Sequence, residues 1–119
     1  MQRHQLLPVS TTTARYYQWG DGCEGWHLVA TDAVSVIQER MPPGTSEVRH
    51  RHRVARQFFF VLAGALTLEI DGVMVEVPAG SGFEVSPGAA HQVFNRGEAV
   101  AEFLVVSQPP AQGDRETPT

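Results

Sequence analysis

Four side chains in this sequence are of types and spacings that suit a metal ion: His50, His52, Gln57 and His91. His50 and His52 stand at i and i+2, so on a β-strand both rings leave the same face. Imidazole is a ligand for zinc, copper, iron and nickel, and a pair projecting from one pleat can share an ion. The pair lies just beyond Pro43-Gly44, a turn signal that ends the preceding apolar run.

The segments that must carry these residues read as short strands. Val34 to Met41 is one, ended by Pro42-Pro43-Gly44, and Glu47 to Arg53, with the histidine pair, is a second. Gln57 to Leu62 is a third, apolar on both faces, with Gln57, Phe59 and Val61 on one side and Phe58 and Phe60 on the other. Ala65–Ile70 and Val73–Val77 flank Asp71-Gly72, which supplies the positive φ of a two-residue hairpin turn. Phe83 to Val85, Ala90 to Asn95 and Ala99 to Val106 follow, separated by glycine and proline. His91, Val93 and Asn95 alternate to one face, so the third histidine would point inward with the asparagine. No segment has helical periodicity with caps, and the chain is expected to be all-β, a sandwich or barrel.

With 119 residues the chain is expected to form one domain. Residues 1–30 would be N-terminal arm or strands of that domain, 31–107 the barrel, and 108–119 a tail too poor in apolar residues to join a core, hence an arm or disordered. A net charge of -4 implies no general affinity for nucleic acid or anionic lipid. No apolar run is long enough to span a bilayer, and the N-terminus lacks a signal-peptide core. The lone Cys23 cannot form an internal disulfide, consistent with a cytoplasmic location.

With these elements in place, the chain resembles the cupins. Gly44, His50, His52, Gln57 and Gly64 fall in the places of a first motif, Gly-x5-His-x-His-x4-Glu-x6-Gly. Gly80, Ser86, Gly88, His91 and Asn95 fall in those of a second, Gly-x5-Pro-x-Gly-x2-His-x3-Asn. Two letters depart, Gln57 for glutamate and Ser86 for proline, although Pro87 keeps the turn chemistry. The resemblance runs from about Met41 to Asn95. It implies an RmlC-like double-stranded β-helix (jelly-roll) barrel, a homodimer, and a divalent transition metal (Fe, Mn, Ni, Zn or Co) held by His50, His52, Gln57 and His91.

The resemblance and the residues together imply a small-molecule ligand in an apolar-walled pocket with a polar cluster. An amide in place of a carboxylate leaves more positive charge on the ion, making it a stronger Lewis acid and oxygen chemistry less favoured. Cupins with three histidines and a glutamine include those that open or isomerise unsaturated sugar acids. The expected activity is therefore isomerase- or lyase-type chemistry on a small carboxylate or sugar acid, the alternatives being a non-haem iron dioxygenase or a non-catalytic binding or sensing module.

Arg56, beside Gln57, is the candidate to clamp a substrate carboxylate, and Tyr17, Tyr16 and Glu84 are candidates for proton transfer. Arg49, Arg51 and Arg53 alternate with the histidines and are expected to be a solvated face balanced by acids. Asn95 is expected to hold the turn Asn95-Arg96-Gly97-Glu98, and His4 and His27 to be ordinary. Asp114 and Arg115 are expected to be a solvated ion pair.

Overall fold

The computed structural model describes residues 6–111 and 113–118, so the expectation for His4 lies outside the described residues. Eleven strands are present and no helix among the described residues: β1 Arg15–Trp19, β2 Cys23–Ala30, β3 Ser35–Met41, β4 Arg51–His52, β5 Arg56–Ala63, β6 Ala65–Ile70, β7 Val73–Pro78, β8 Gly82–Val85, β9 His91–Phe94, β10 Ala101–Gln108 and β11 Arg115–Glu116. Every pairing is antiparallel. A six-stranded sheet runs β1-β2-β3-β10-β5-β8, a three-stranded sheet β7-β6-β9, and β11 pairs with β4.

Alternation along the strands builds the core. Phe59 and Val61 of β5, Phe103 and Val105 of β10, Leu66 and Leu68 of β6 and Val93 of β9 are buried in one cluster between the two larger sheets. The β6–β7 hairpin turns through Asp71 at φ 47° and Gly72 at φ 91°, the conformation that Asp-Gly was expected to supply. Gly64, between β5 and β6, sits where a Cβ would lie 2.5 Å from the Val100 carbonyl oxygen, so only glycine lets the two chains approach.

The structure departs from the sequence-based expectation in two segments. Glu47 to Arg53 is not a continuous strand: Ser46 bridges Phe94, His50 bridges His91, and only Arg51–His52 form a ladder. Four steps from Ser46 to His50 face three from Phe94 to His91, so one extra residue is accommodated as in a β-bulge and the ladder breaks there. Within 108–119, the described part is an arm. Arg115 and Glu116 pair with His52 and Arg51, and the Asp114 carboxylate accepts from the backbone N–H groups of Arg53, Val54 and Ala55 at 3.1, 2.9 and 2.8 Å. Asp114 and Arg115 are thus no isolated ion pair. Backbone hydrogen bonding docks the arm without needing apolar residues.

Candidate metal centre

Backbone pairing places the two histidines furthest apart in sequence side by side. His50 donates its N–H to the His91 carbonyl at 2.9 Å, and His91 donates back at 2.8 Å. Residues that exchange both hydrogen bonds lie directly opposite with side chains on the same face. Their rings are 4.4 Å apart between centroids, and the His52 ring is 4.9 Å from that of His50 and 6.0 Å from that of His91. One ring nitrogen from each of the three falls within 4.8 Å of the others, and all three residues are buried.

The ring tautomers follow from neighbours that can only accept. Nδ1 of His50 is 2.8 Å from the Val48 carbonyl, and Nδ1 of His91 is 3.0 Å from that of Ala89. Each Nδ1 must therefore carry the proton, leaving Nε2 with a lone pair, the arrangement in which a backbone carbonyl orients a metal-binding imidazole. Burial disfavours the imidazolium at all three, pushing His50 down to about 3 and His52 and His91 below the usual histidine range.

Gln57 faces the same space from β5. Its Nε2 donates to Ser107 Oγ at 3.0 Å, which leaves the amide oxygen Oε1 buried and without a partner. Nε2 of His91 and Nδ1 of His52 are likewise buried and unpartnered. An unmet buried polar atom costs about 1–3 kcal/mol, so three of them around one polar cluster form a donor set suited to a divalent cation.

His50, His52 and Gln57 open onto a cavity of about 370 Å3 walled by Ile37, Phe59 and Val105. Two acids unremarked in the sequence reading also line it, Glu39 of β3 and Glu47 of the bulged segment. Burial raises both, Glu39 to about 7 and Glu47 to about 8. Tyr17 donates to Glu39 Oε2 at 2.5 Å and, with Trp19, lines a smaller cavity that also touches Glu39 and Glu47. A signal for Glu39 did exist, since it stands between Ile37 and Met41 on the inward alternation of β3.

The remaining candidates are dispersed. Arg56 is exposed on the opposite side of β5 from Gln57 and pairs with Glu84 at 3.2 Å, so the structure does not bring either to the histidines. Tyr16 is exposed and donates to Glu24. Arg49 pairs with Glu69, and Arg51 and Arg53 with Glu116, the balanced outer face that alternation implied. Asn95 donates to the Met41 and Ala99 carbonyls and accepts from Gly97 N–H, which locks the turn. The His27 ring packs 5.0 Å from that of Tyr17 and lines the large cavity, apart from the three clustered histidines.

Comparison with known proteins agrees with this arrangement. The profile of the family described as "Cupin domain" matches residues 37–107. An oxalate-binding protein of Thermotoga maritima is 30% identical over 85 residues, spanning 67% of this chain and 70% of that protein. A crystal structure of a "predicted oxalate decarboxylase" from Thermotoga maritima superposes with a TM-score of 0.79 at 23% identity, covering 87% of this chain and 100% of the other. A sugar phosphate isomerase from Silicibacter pomeroyi gives 0.77 at 24% identity, covering 87% and 76%. At these identities the two structures show the shared fold.

Proposed function

The chain belongs to the cupin family, and from that premise we propose that it holds a divalent transition metal at His50, His52, His91 and Gln57 and uses it on a small carboxylate or sugar acid, as an isomerase- or lyase-type enzyme. The observation that carries this reading is the convergence of three neutral imidazoles, two with their Nε2 lone pairs set by backbone carbonyls, beside the unpartnered Gln57 oxygen. A bound ion would act there as a Lewis acid toward a substrate oxygen.

The chain's own groups account for the rest of the reading. Ile37, Phe59 and Val105 exclude water from one side of the cavity. Glu39 carries its proton near neutrality, and because Tyr17 donates to Oε2, that proton sits on Oε1. Oε1 is then the atom that gives a proton to, or takes one from, a ligand in the cavity. Tyr17 acts through Glu39 as a positioning residue.

The test is elemental analysis of the purified protein, followed by a metal-by-metal screen for turnover of oxalate, small keto acids and sugar acids with and without oxygen. Turnover in anaerobic samples is expected. Strict oxygen dependence would instead mark a dioxygenase, and binding of an acid without turnover across all metals would mark a binding module. Wild-type protein that takes up none of the metals would overturn the reading.

A further inference from the structure

The arginines divide into two groups. Arg40, Arg49, Arg51, Arg53 and Arg56 each pair with a glutamate, and Arg96 lies over the Phe94 ring at 4.6 Å. Among the described residues, Arg15 and Arg115 alone of the arginines have neither a carboxylate nor an aromatic partner, and both line the large cavity. Guanidinium is the side chain best shaped to grip a carboxylate with two parallel hydrogen bonds. Both are exposed, but two free ones at a single cavity differ from the acid-balanced face seen elsewhere on this chain.

Arg115 is held there by the arm. It is the cross-strand partner of His52, so its side chain leaves the β4–β11 ladder on the same face as that histidine. On one side Asp114 is tied to three backbone N–H groups, and on the other Glu116 pairs with Arg51 and Arg53. The guanidinium itself makes one long contact, Nη2 to the Val48 carbonyl at 3.3 Å. It lines the large cavity together with His50 and His52, and the smaller one together with Tyr17 and Trp19. Glu39 and Glu47 line both cavities with Arg115, whose charge acts on each carboxyl, but neither forms a salt bridge with it.

We propose that Arg115, carried in by the C-terminal arm and assisted by Arg15 from β1, is an anion clamp that makes this cavity select small dicarboxylates, one end held by the arginines while the other reaches the histidine cluster. The clamp rests on the functional reading above for the far end of the ligand. Its own basis, two unpaired guanidinium groups on one cavity, is independent of any metal.

The experiment is calorimetric titration of oxalate, malonate, succinate and acetate into wild type, Arg115→Gln, Arg115→Lys, Arg15→Gln and, as a control, Arg96→Gln. Each is measured with and without bound metal, and metal affinity is measured separately. Arg115→Gln is expected to weaken at least one dicarboxylate about tenfold or more while changing acetate less, with Arg115→Lys intermediate and Arg96→Gln unchanged. Its metal affinity should be equal or tighter, because a positive charge near the cation has been removed. Wild-type diacid affinities in Arg115→Gln, or wild-type protein that binds none of the diacids, would overturn the clamp. Wild-type protein that takes up no metal yet binds diacids in an Arg115-dependent way would overturn the metal reading and leave the clamp standing.

Discussion

Gln57 and Ser107 are cross-strand partners on β5 and β10, and the Ser107 hydroxyl accepts the Gln57 amide N–H at 3.0 Å. That contact decides which end of the amide faces the cavity. The nitrogen is engaged, and the oxygen is left without a partner beside a cavity that His50 and His52 also line.

Replacing Gln57 by glutamate adds an anionic oxygen where a dipole stood. Gln57→Glu is expected to bind a divalent metal more tightly than wild type, and Ser107→Ala, which frees the amide to rotate, more weakly. Competition titration against a chromogenic chelator reads both. Equal or looser binding by Gln57→Glu would remove Gln57 from the ligand set.

Glu39 supplies a pH dependence of stability. Its carboxyl titrates at about 7 in the folded chain, above the ordinary glutamate value, so the folded state holds this proton more tightly than the unfolded one. Its contribution is fullest below the ordinary carboxylate range and is lost as pH rises toward about 7. Glu39→Gln, neutral throughout, is expected to be more stable than wild type at pH 8 by on the order of 1–2 kcal/mol and nearly equal to it at pH 4. Urea denaturation at the two pH values measures the difference, and the same gap at both would refute the assignment.

Asp114 works with the opposite sign. Three backbone N–H donors hold its carboxyl below the usual aspartate range, so the arm's anchorage is present at neutral pH and weakens as acid protonates the group. Asp114→Ala should leave the barrel folded but release the arm. Limited proteolysis should then cut within residues 108–119 faster than in wild type, and wild type should acquire the same sensitivity at low pH. A variant no more sensitive than wild type would mean that β11 holds the arm unaided.

Phe58 and Phe60 on the outer side of β5 stack at 6.3 Å, and their β10 partners there are Val106 and Leu104. Phe58 is 40% exposed and Leu62 44%, a sheet face more apolar than an isolated subunit usually presents. The protein is expected to be a homodimer through this face, and Phe58→Arg to shift it toward monomer. Light scattering at micromolar concentration checks both, and a monomeric wild type would show that water covers this face.

Alternation and turn chemistry made most of the barrel legible from the amino-acid order. The β6–β7 hairpin, with period two on both arms and Asp71-Gly72 between them, appears as expected, because each cue there is local. The histidines were legible for the same reason, since i, i+2 spacing sets direction on a strand. What escaped depends on distance. Glu39 shares the inward alternation of Ile37 and Met41, but only the sheet order puts that face on the cavity, and Arg115 reads as a solvated charge until the arm pairs with β4. Arg56 drew attention by adjacency to Gln57, yet neighbours on a strand face opposite sides, and Glu84 on β8 claims its guanidinium.

The bulged stretch from Ser46 to His50 pairs with β9 through two single bridges rather than a ladder, yet it delivers one of the three imidazoles and leads directly into the His52 strand. A segment so sparsely paired opens more readily than the strands around it. A cation gripped by His50, His52 and His91 would fasten it to β9, so that melting temperature would climb with free-ion concentration. Deuterium uptake at the amides of Glu47 and His50, which donate to Val93 and His91, would slow first.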